Sequence, residues 1–273
     1  MRRSLKLLSA AVILGSSFAW ANPVATSGFT TSTLAANDDG STSLIAMGFN
    51  IDFFGVTYNS AYVNNNGNIT FSGPLSTYTP FGLAASSQSI IAPFFADVDT
   101  RGAGSGLTTY GTGTYAGNTA FEALWPAVGY YGAHTDKLDT FQVILVDRAD
   151  LGAGDFDIYF NYGPMAWETG DASGGSGGLG GSCAVAGYSN GTIAGSSEVT
   201  YQLPGSAVCG ALIDGGANAL SSHTNDGVTG QYLFEDVNGI ITQPPSTTPE
   251  PSSIVLLGTG LAGLVARIRR RMA

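Results

Sequence analysis

The sequence predicts a mainly β protein: a single antiparallel β-sandwich-like domain, preceded by a signal peptide and followed by a short apolar C-terminal helix. Three observations carry this prediction. Apolar and polar residues alternate in short runs separated by glycine or asparagine, the period of half-buried strands joined by tight turns. The 273 residues include 39 glycines and only 11% charged residues, with tyrosine, phenylalanine, asparagine, serine and threonine prominent, a composition suited to extracellular β structure with many turns. Outside the two termini no segment has a helical hydrophobic period.

Taken in order, residues 22–44 read as a polar N-terminal segment, with Thr26 to Gly40 irregular. Alternation starts at Ser43 and opens a domain expected over residues 45–240. Ala46 to Phe54, Ala61 to Asn64 and Asn68 to Ser72 form a first strand group. Asn64-Asn65-Asn66-Gly67-Asn68 is a turn, because Asn and Gly tolerate positive φ. Ile90 to Val98 is nearly continuous in apolar residues, as expected of one strand buried on both faces. Thr108 to Tyr115 and Thr119 to Trp125 read as a hairpin, and Thr140 to Asp147 and Asp155 to Tyr162 alternate most regularly. Gly170 to Ser182 is a glycine-serine loop, too costly in backbone entropy for regular structure. Cys183 to Tyr188, Glu198 to Leu203 and Gln231 to Glu235 read as closing strands. Residues 241–248 form a Pro/Thr/Ser spacer.

The N-terminus has the three parts of a secretory signal over residues 1–21. Arg2, Arg3 and Lys6 are basic, Leu7 to Leu14 are apolar, and Ala19 and Ala21 place small residues for cleavage after Ala21. At the other end, residues 249–273 start with Pro249-Glu250-Pro251. An uncharged stretch follows, and the chain closes on Arg267, Arg269, Arg270 and Arg271. Ser252 to Ala266 would span about 22 Å as a helix, against about 30 Å of hydrocarbon, which suits transient rather than permanent insertion in the inner membrane. Arginines after the apolar stretch favour the cytoplasmic side.

These two segments hold seven of the ten basic residues. If the signal is removed and the tail is cut after Pro251, Arg101, Lys137 and Arg148 face all twenty acidic residues, a net charge near −17. Such a surface repels phosphate backbones, which excludes nucleic acid as a partner. The two cysteines, Cys183 and Cys209, are expected to pair in an oxidising compartment, closing a loop of about 27 residues worth roughly 3 kcal/mol on the entropy model. The alternative is two unpaired structural thiols.

Little in the chain points to catalysis. Gly174, Ser176 and Gly178 spell a nucleophile elbow, and Gly175, Gly177 and Gly180 a dinucleotide fingerprint. Both lie in a run where glycine is so frequent that such matches arise by chance, without the strand–turn–helix context the chemistry needs. Gly258, Gly260 and Gly263 lack that context too. His134 and His223 are expected in surface loops, and no serine announces a triad. Asp97 and Asp99 are candidate calcium ligands, with Asp136, Asp139 or loop carbonyls completing the shell. The alternative is a turn cap or a pair with Arg101. Trp125, Trp167, Tyr130 and Tyr131 could form a sugar-stacking platform, although strand aromatics are more often packing residues. Asn68-Ile69-Thr70 and Asn190-Gly191-Thr192 match the glycosylation sequon.

Six segments together resemble the nidogen-like extracellular (NIDO) domain. They are Phe49-Asn50-Ile51-Asp52-Phe53-Phe54-Gly55, Ala61 to Phe71, Ile90-Ile91-Ala92-Pro93-Phe94-Phe95-Ala96-Asp97-Val98-Asp99-Thr100, Thr140 to Leu145, Ile158 to Gly163, and Met165 to Gly170. The C-terminal order of Pro-Glu-Pro, apolar run and arginines resembles the PEP-CTERM sorting signal. The first resemblance implies a non-catalytic β module of surface and matrix proteins, associated with cell–matrix adhesion. The second implies export, recognition by an exosortase-type processing enzyme, tail removal, and a cell-surface or extracellular destination linked to exopolysaccharide and biofilm. The expected function is therefore binding or assembly, not turnover, with no catalytic residues and no required cofactor. A carbohydrate-binding protein, calcium-dependent or not, is the alternative, and a glycan hydrolase using paired carboxylates is a more distant one.

Overall fold

The structure is a computed structural model that describes residues 23–191 and 199–242. The expected signal peptide with Ala19 and Ala21, and the sorting tail with Pro249, Glu250, Pro251 and the four arginines, lie outside the described residues. Among those described, no helix is long and apolar enough to cross a membrane.

Fourteen strands follow one another along the chain: β1 (Phe29–Thr33), β2 (Ile45–Phe53), β3 (Val56–Asn64), β4 (Asn68–Thr70), β5 (Ile90–Phe95), β6 (Val98–Asp99) and β7 (Thr109–Tyr115), then β8 (Asn118–Tyr130), β9 (His134–Asp147), β10 (Phe156–Tyr162), β11 (Val185–Ser189), β12 (Thr200–Gln202), β13 (Gln231–Val237) and β14 (Ile240–Thr242). The larger sheet has the order β1-β7-β8-β9-β10-β13-β14, with β6 also paired to β8. The smaller has the order β12-β11-β5-β4-β3-β2. Both are antiparallel and pack face to face as a sandwich, whose shared core includes Phe53, Phe94, Trp125, Phe141, Phe160 and Trp167. Burying a large side chain of this kind contributes about 1.5–3 kcal/mol.

The regularly alternating segments form strands because alternation puts one set of side chains inward. In β9, Phe141, Val143 and Leu145 face the shared core, while Ile144 and Val146 join Ala120 in a second cluster on the outer face of the larger sheet. That outer face is also crossed by polar residues. The Gln142 amide donates to Glu122 at 2.6 Å, Asn161 donates to Gln142 at 3.0 Å, and Gln231 donates to Asn161 at 2.7 Å. Gln142 also exchanges hydrogen bonds with the backbone of Ala25. Buried amides are tolerated here because each finds a partner on the next strand.

Three expectations are corrected. Thr26 to Gly40 is not wholly irregular: Phe29–Thr33 forms β1, an edge strand paired with β7 from Phe29 opposite Gly113 to Thr33 opposite Thr109. Its Thr30 to Thr33 side are exposed, so no apolar alternation marks it. Ile90 to Val98 is not one strand but two, with β5 in the smaller sheet and β6 in the larger. β5 is buried on both faces: Ile91 and Phe94 face the shared core, while Ile90, Ala92 and Phe95 face a separate cluster with Leu83 and Val185. Pro93, which has no N–H for the ladder, sits where the β5–β11 register shifts, and its carbonyl accepts the Tyr162 hydroxyl at 2.7 Å. Finally, His134 starts strand β9 instead of lying in a loop.

Candidate functional site

Where β5 leaves one sheet and β6 enters the other, the chain passes through Ala96 and Asp97. Two other segments converge on this passage: the Asn64–Asn68 turn between β3 and β4, and the loop Asn37–Gly40. All four turn asparagines, Asn64, Asn65, Asn66 and Asn68, are buried. The Asn65 amide donates to the Val98 carbonyl at 2.6 Å and to the Asp38 carbonyl. The Asn66 amide donates to Asp39 Oδ1 at 2.9 Å, while its carbonyl oxygen accepts the Val98 N–H at 2.9 Å. Trp125 Nε1 donates to the Asn65 carbonyl at 2.9 Å, and Asn65 N–H donates to Gly40 at 2.9 Å. Thr100 ties the same loop, since its N–H donates to the Asn37 carbonyl at 2.9 Å. The turn therefore acts as a polar clamp that joins both sheets and the N-terminal loop.

Carboxylates gather on this clamp. Carboxylate oxygens of Asp38, Asp39 and Asp97 all lie within 4.8 Å of one another. Asp97 has no exposed surface, and neither of its carboxylate oxygens has a hydrogen-bond partner; Asp38 Oδ1 is also buried and unpartnered. Burial, followed by the charges of Asp38, Asp39 and Asp99, pushes the Asp97 carboxyl up to about 7. Ser173 opposes that rise only from outside good hydrogen-bonding geometry, its hydroxyl being bonded to Thr79 at 2.9 Å. Asp38 is raised to about 6 by burial and by the charges of Asp99 and Asp39, with Arg101 opposing.

Asp99 lies beside this cluster but is engaged otherwise. Its carboxylate accepts Arg101 Nε at 2.9 Å, Arg101 Nη2 at 2.7 Å and the Ala133 N–H at 2.8 Å. Burial alone would raise its pKa; the bonds from Arg101 and Ala133 outweigh that and hold it below the usual range. Asp97 is thus grouped with Asp38 and Asp39, and Asp99, held by Arg101, does not complete that group. Asp136 and Asp139 do not complete it either. Asp136 accepts the Tyr130 hydroxyl at 2.8 Å, and Asp139 accepts the N–H groups of Ala166 at 2.5 Å and Trp167 at 3.1 Å. Asp38 and Asp39 escape sequence reading because they lie 58 or more residues from Asp97, in a stretch with no strand periodicity. Their one local signal is an acidic doublet just before Gly40.

The other singled-out residues have structural surroundings. Trp125 and Trp167 are fully buried and Tyr130 nearly so, which removes the sugar-stacking platform; only Tyr131 of the four reaches the surface, at 36% exposure. The indole N–H of Trp167 is bonded to Val128 at 3.0 Å. His134 stacks on Tyr130 with ring centroids 4.8 Å apart and lies 3.6 Å from Asp171, while His223 Nδ1 is 3.0 Å from the Ala219 carbonyl. Cys183 and Cys209 form a disulfide that closes the chain segment directly after the glycine-rich loop. Glu168 lies against that bridge and accepts the Gly210 N–H at 2.6 Å, but the bonded sulfurs leave no thiolate for a metal. Asn68 and Asn190 are buried, so neither sequon presents its amide to solvent. A depression of about 390 Å³ opens at the break in β2–β3 register, lined by Ala46, Gly48, Phe49, Asn50, Asn59 and Ser60, with no titratable side chain.

Two antiparallel sheets with a sheet-to-sheet clamp, carried on an acidic chain, define a β-sandwich module. The family described as NIDO related matches residues 16–207, and the chain belongs to it. The PEP-CTERM protein-sorting motif matches residues 247–271, which marks the chain for export, exosortase processing and cell-surface sorting. Alpha-tectorin of Mus musculus is 33% identical over 221 residues, covering 72% of this chain and 10% of that protein. Alpha-tectorin of Homo sapiens has the same identity and coverage. Nidogen of Drosophila melanogaster is 31% identical over 231 residues, covering 74% of this chain and 15% of that protein. The alignments therefore take in only about a tenth to a seventh of these relatives' length. No solved structure matches the chain.

Proposed function

We propose that this chain is a non-catalytic surface or extracellular-matrix protein, acting in cell–matrix adhesion and in association with exopolysaccharide or biofilm. The observation that carries the reading is the joining of a NIDO-related sandwich to a PEP-CTERM motif in one chain. The geometry supports it: His134 stacks on Tyr130, the buried Asp139 accepts two backbone N–H groups, and the depression at β2–β3 is lined by no titratable side chain. The strongly acidic exported part favours a neutral or cationic polysaccharide over an acidic one.

The test has two arms. The purified exported chain is sedimented with exopolysaccharide isolated from the producing organism, and surface attachment is compared between that organism and its deletion strain. Cosedimentation together with weaker attachment of the deletion strain is expected. Unchanged attachment and no cosedimentation would overturn the proposal.

A further inference from the structure

We propose that Asp38, Asp39 and Asp97 form a calcium site that clamps the N-terminal loop to the passage between the two sheets. The first ground is spacing. Two oxygens about 2.4 Å from a common ion can be at most about 4.8 Å apart, and the three carboxylates lie within 4.8 Å of one another. The second is an unpaired acceptor. Asp97 is fully buried, directs its carboxylate into this group, and neither oxygen has a donor in good hydrogen-bonding geometry, the Ser173 hydroxyl being the neighbour that falls short of it. A buried carboxyl in that position normally has a partner, and a cation would be one.

The donor set selects the ion. All three side chains offer oxygen and the cluster holds no histidine or thiolate, which suits a hard cation and disfavours zinc or copper. The donors come from irregular backbone on separate segments, a shell that calcium accepts more readily than magnesium, with its demand for near-ideal octahedra. Asp38 and Asp39 are only half-buried, which leaves a route from solvent, whereas Asp97 forms the floor. Gly170 closes that floor: a Cβ there would lie 2.2 Å from Asp97 Oδ2, so only glycine lets this segment pass so near the carboxylate. Arg101 Nη2 holds Asp38 Oδ2 at 2.9 Å and leaves Asp38 Oδ1 for the ion. Asn66 fixes Asp39 through Oδ1, which sets the direction of that carboxylate. The site stands whether or not the sandwich binds polysaccharide.

The experiment is thermal unfolding of the exported chain, stripped with chelator and then titrated with calcium or magnesium, alongside Asp97→Asn and Asp39→Asn. An extracellular-type affinity predicts a rise in melting temperature of about 3–10 °C at about 10 mM calcium, with much less for magnesium. Both variants should lose most of that rise. Should Asp97→Asn fail to fold, Asp39→Asn, altered at a half-buried position, decides the matter by itself. An unshifted wild type, an equal shift with magnesium, or a calcium shift that survives Asp39→Asn would overturn the site.

Discussion

Glu122 and Asp139 present the same difficulty, a carboxyl out of water, with different local answers. Glu122 lies on the outer face of the larger sheet, 3% exposed, and its one close donor is the Gln142 amide. Burial pushes it up to about 7, with Gln142 opposing. Asp139 accepts two backbone N–H groups, yet burial and the nearby charges of Asp214 and Glu168 still raise it well above the carboxylate range. An acid raised in the folded state binds more protons there than in the unfolded chain. Its contribution is therefore complete below the unfolded pKa and is lost as pH climbs through the folded value. For Glu122 this window runs from about 4.5 to about 7. Glu122→Gln keeps an acceptor for Gln142 and removes the titration. The stability difference between pH 4.5 and pH 7.5, measured by urea unfolding, should shrink by about 2–3 kcal/mol in the variant. An unchanged difference would show that Glu122 titrates normally. None of this is legible in the sequence, where Glu122 reads as one solvent-facing charge in an alternating strand. Its donor is Gln142, twenty residues away, which is itself bonded to Ala25 in a segment that carries no strand pattern.

At the scale of elements, the turns show best how local sequence and distant packing combine. Gly67 and Gly117 have nearly the same backbone, with φ of +75° and +88°. Gly117 closes the two-residue β7–β8 hairpin, and a Cβ there meets nothing within 4 Å. A Cβ at Gly67 would come 1.8 Å from the Phe94 carbonyl on β5. Gly117→Ala should therefore cost about 1 kcal/mol, from the left-handed backbone alone. Gly67→Ala should cost about 3 kcal/mol or more, because β5 must also move. Chemical unfolding of the two variants side by side checks the contrast, and equal costs would refute it. The Asn64–Asn68 turn is legible from Asn and Gly preferences; its service as a clamp between sheets is not. Strands with a regular apolar period, such as β9 and β10, announce themselves. The edge strand β1 does not, because Thr30 to Thr33 present no apolar face. Its trace lies on the neighbouring strand instead: Gly111 and Gly113 of β7 stand where a Cβ would come 2.0 Å from the carbonyls of Thr30 and Gly28.

At the scale of the whole molecule, the charges are divided by destination. The sandwich retains few basic residues, and those described are engaged: Arg101 with Asp38 and Asp99, Arg148 with Asp150 and Asp157, and Lys137 with Asp136. Four arginines instead follow the apolar stretch of the sorting motif, where they favour the cytoplasmic face. The strand β14 ends at Thr242, five residues before the motif begins, so the spacer starts directly from a sheet edge. A tail of about 22 Å, if helical, holds a protein weakly across hydrocarbon about 30 Å thick. It suits a chain that pauses in the membrane until it is cut. Replacing Pro249-Glu250-Pro251 with three alanines leaves the sandwich, the apolar stretch and the arginines intact, and alters only the segment expected to be recognised. The variant should accumulate uncut in the inner membrane, while the parent chain is recovered outside it with a shortened C-terminus. Cell fractionation with intact-mass measurement of both chains decides this. A variant trimmed and released like the parent would show that recognition lies elsewhere in the tail.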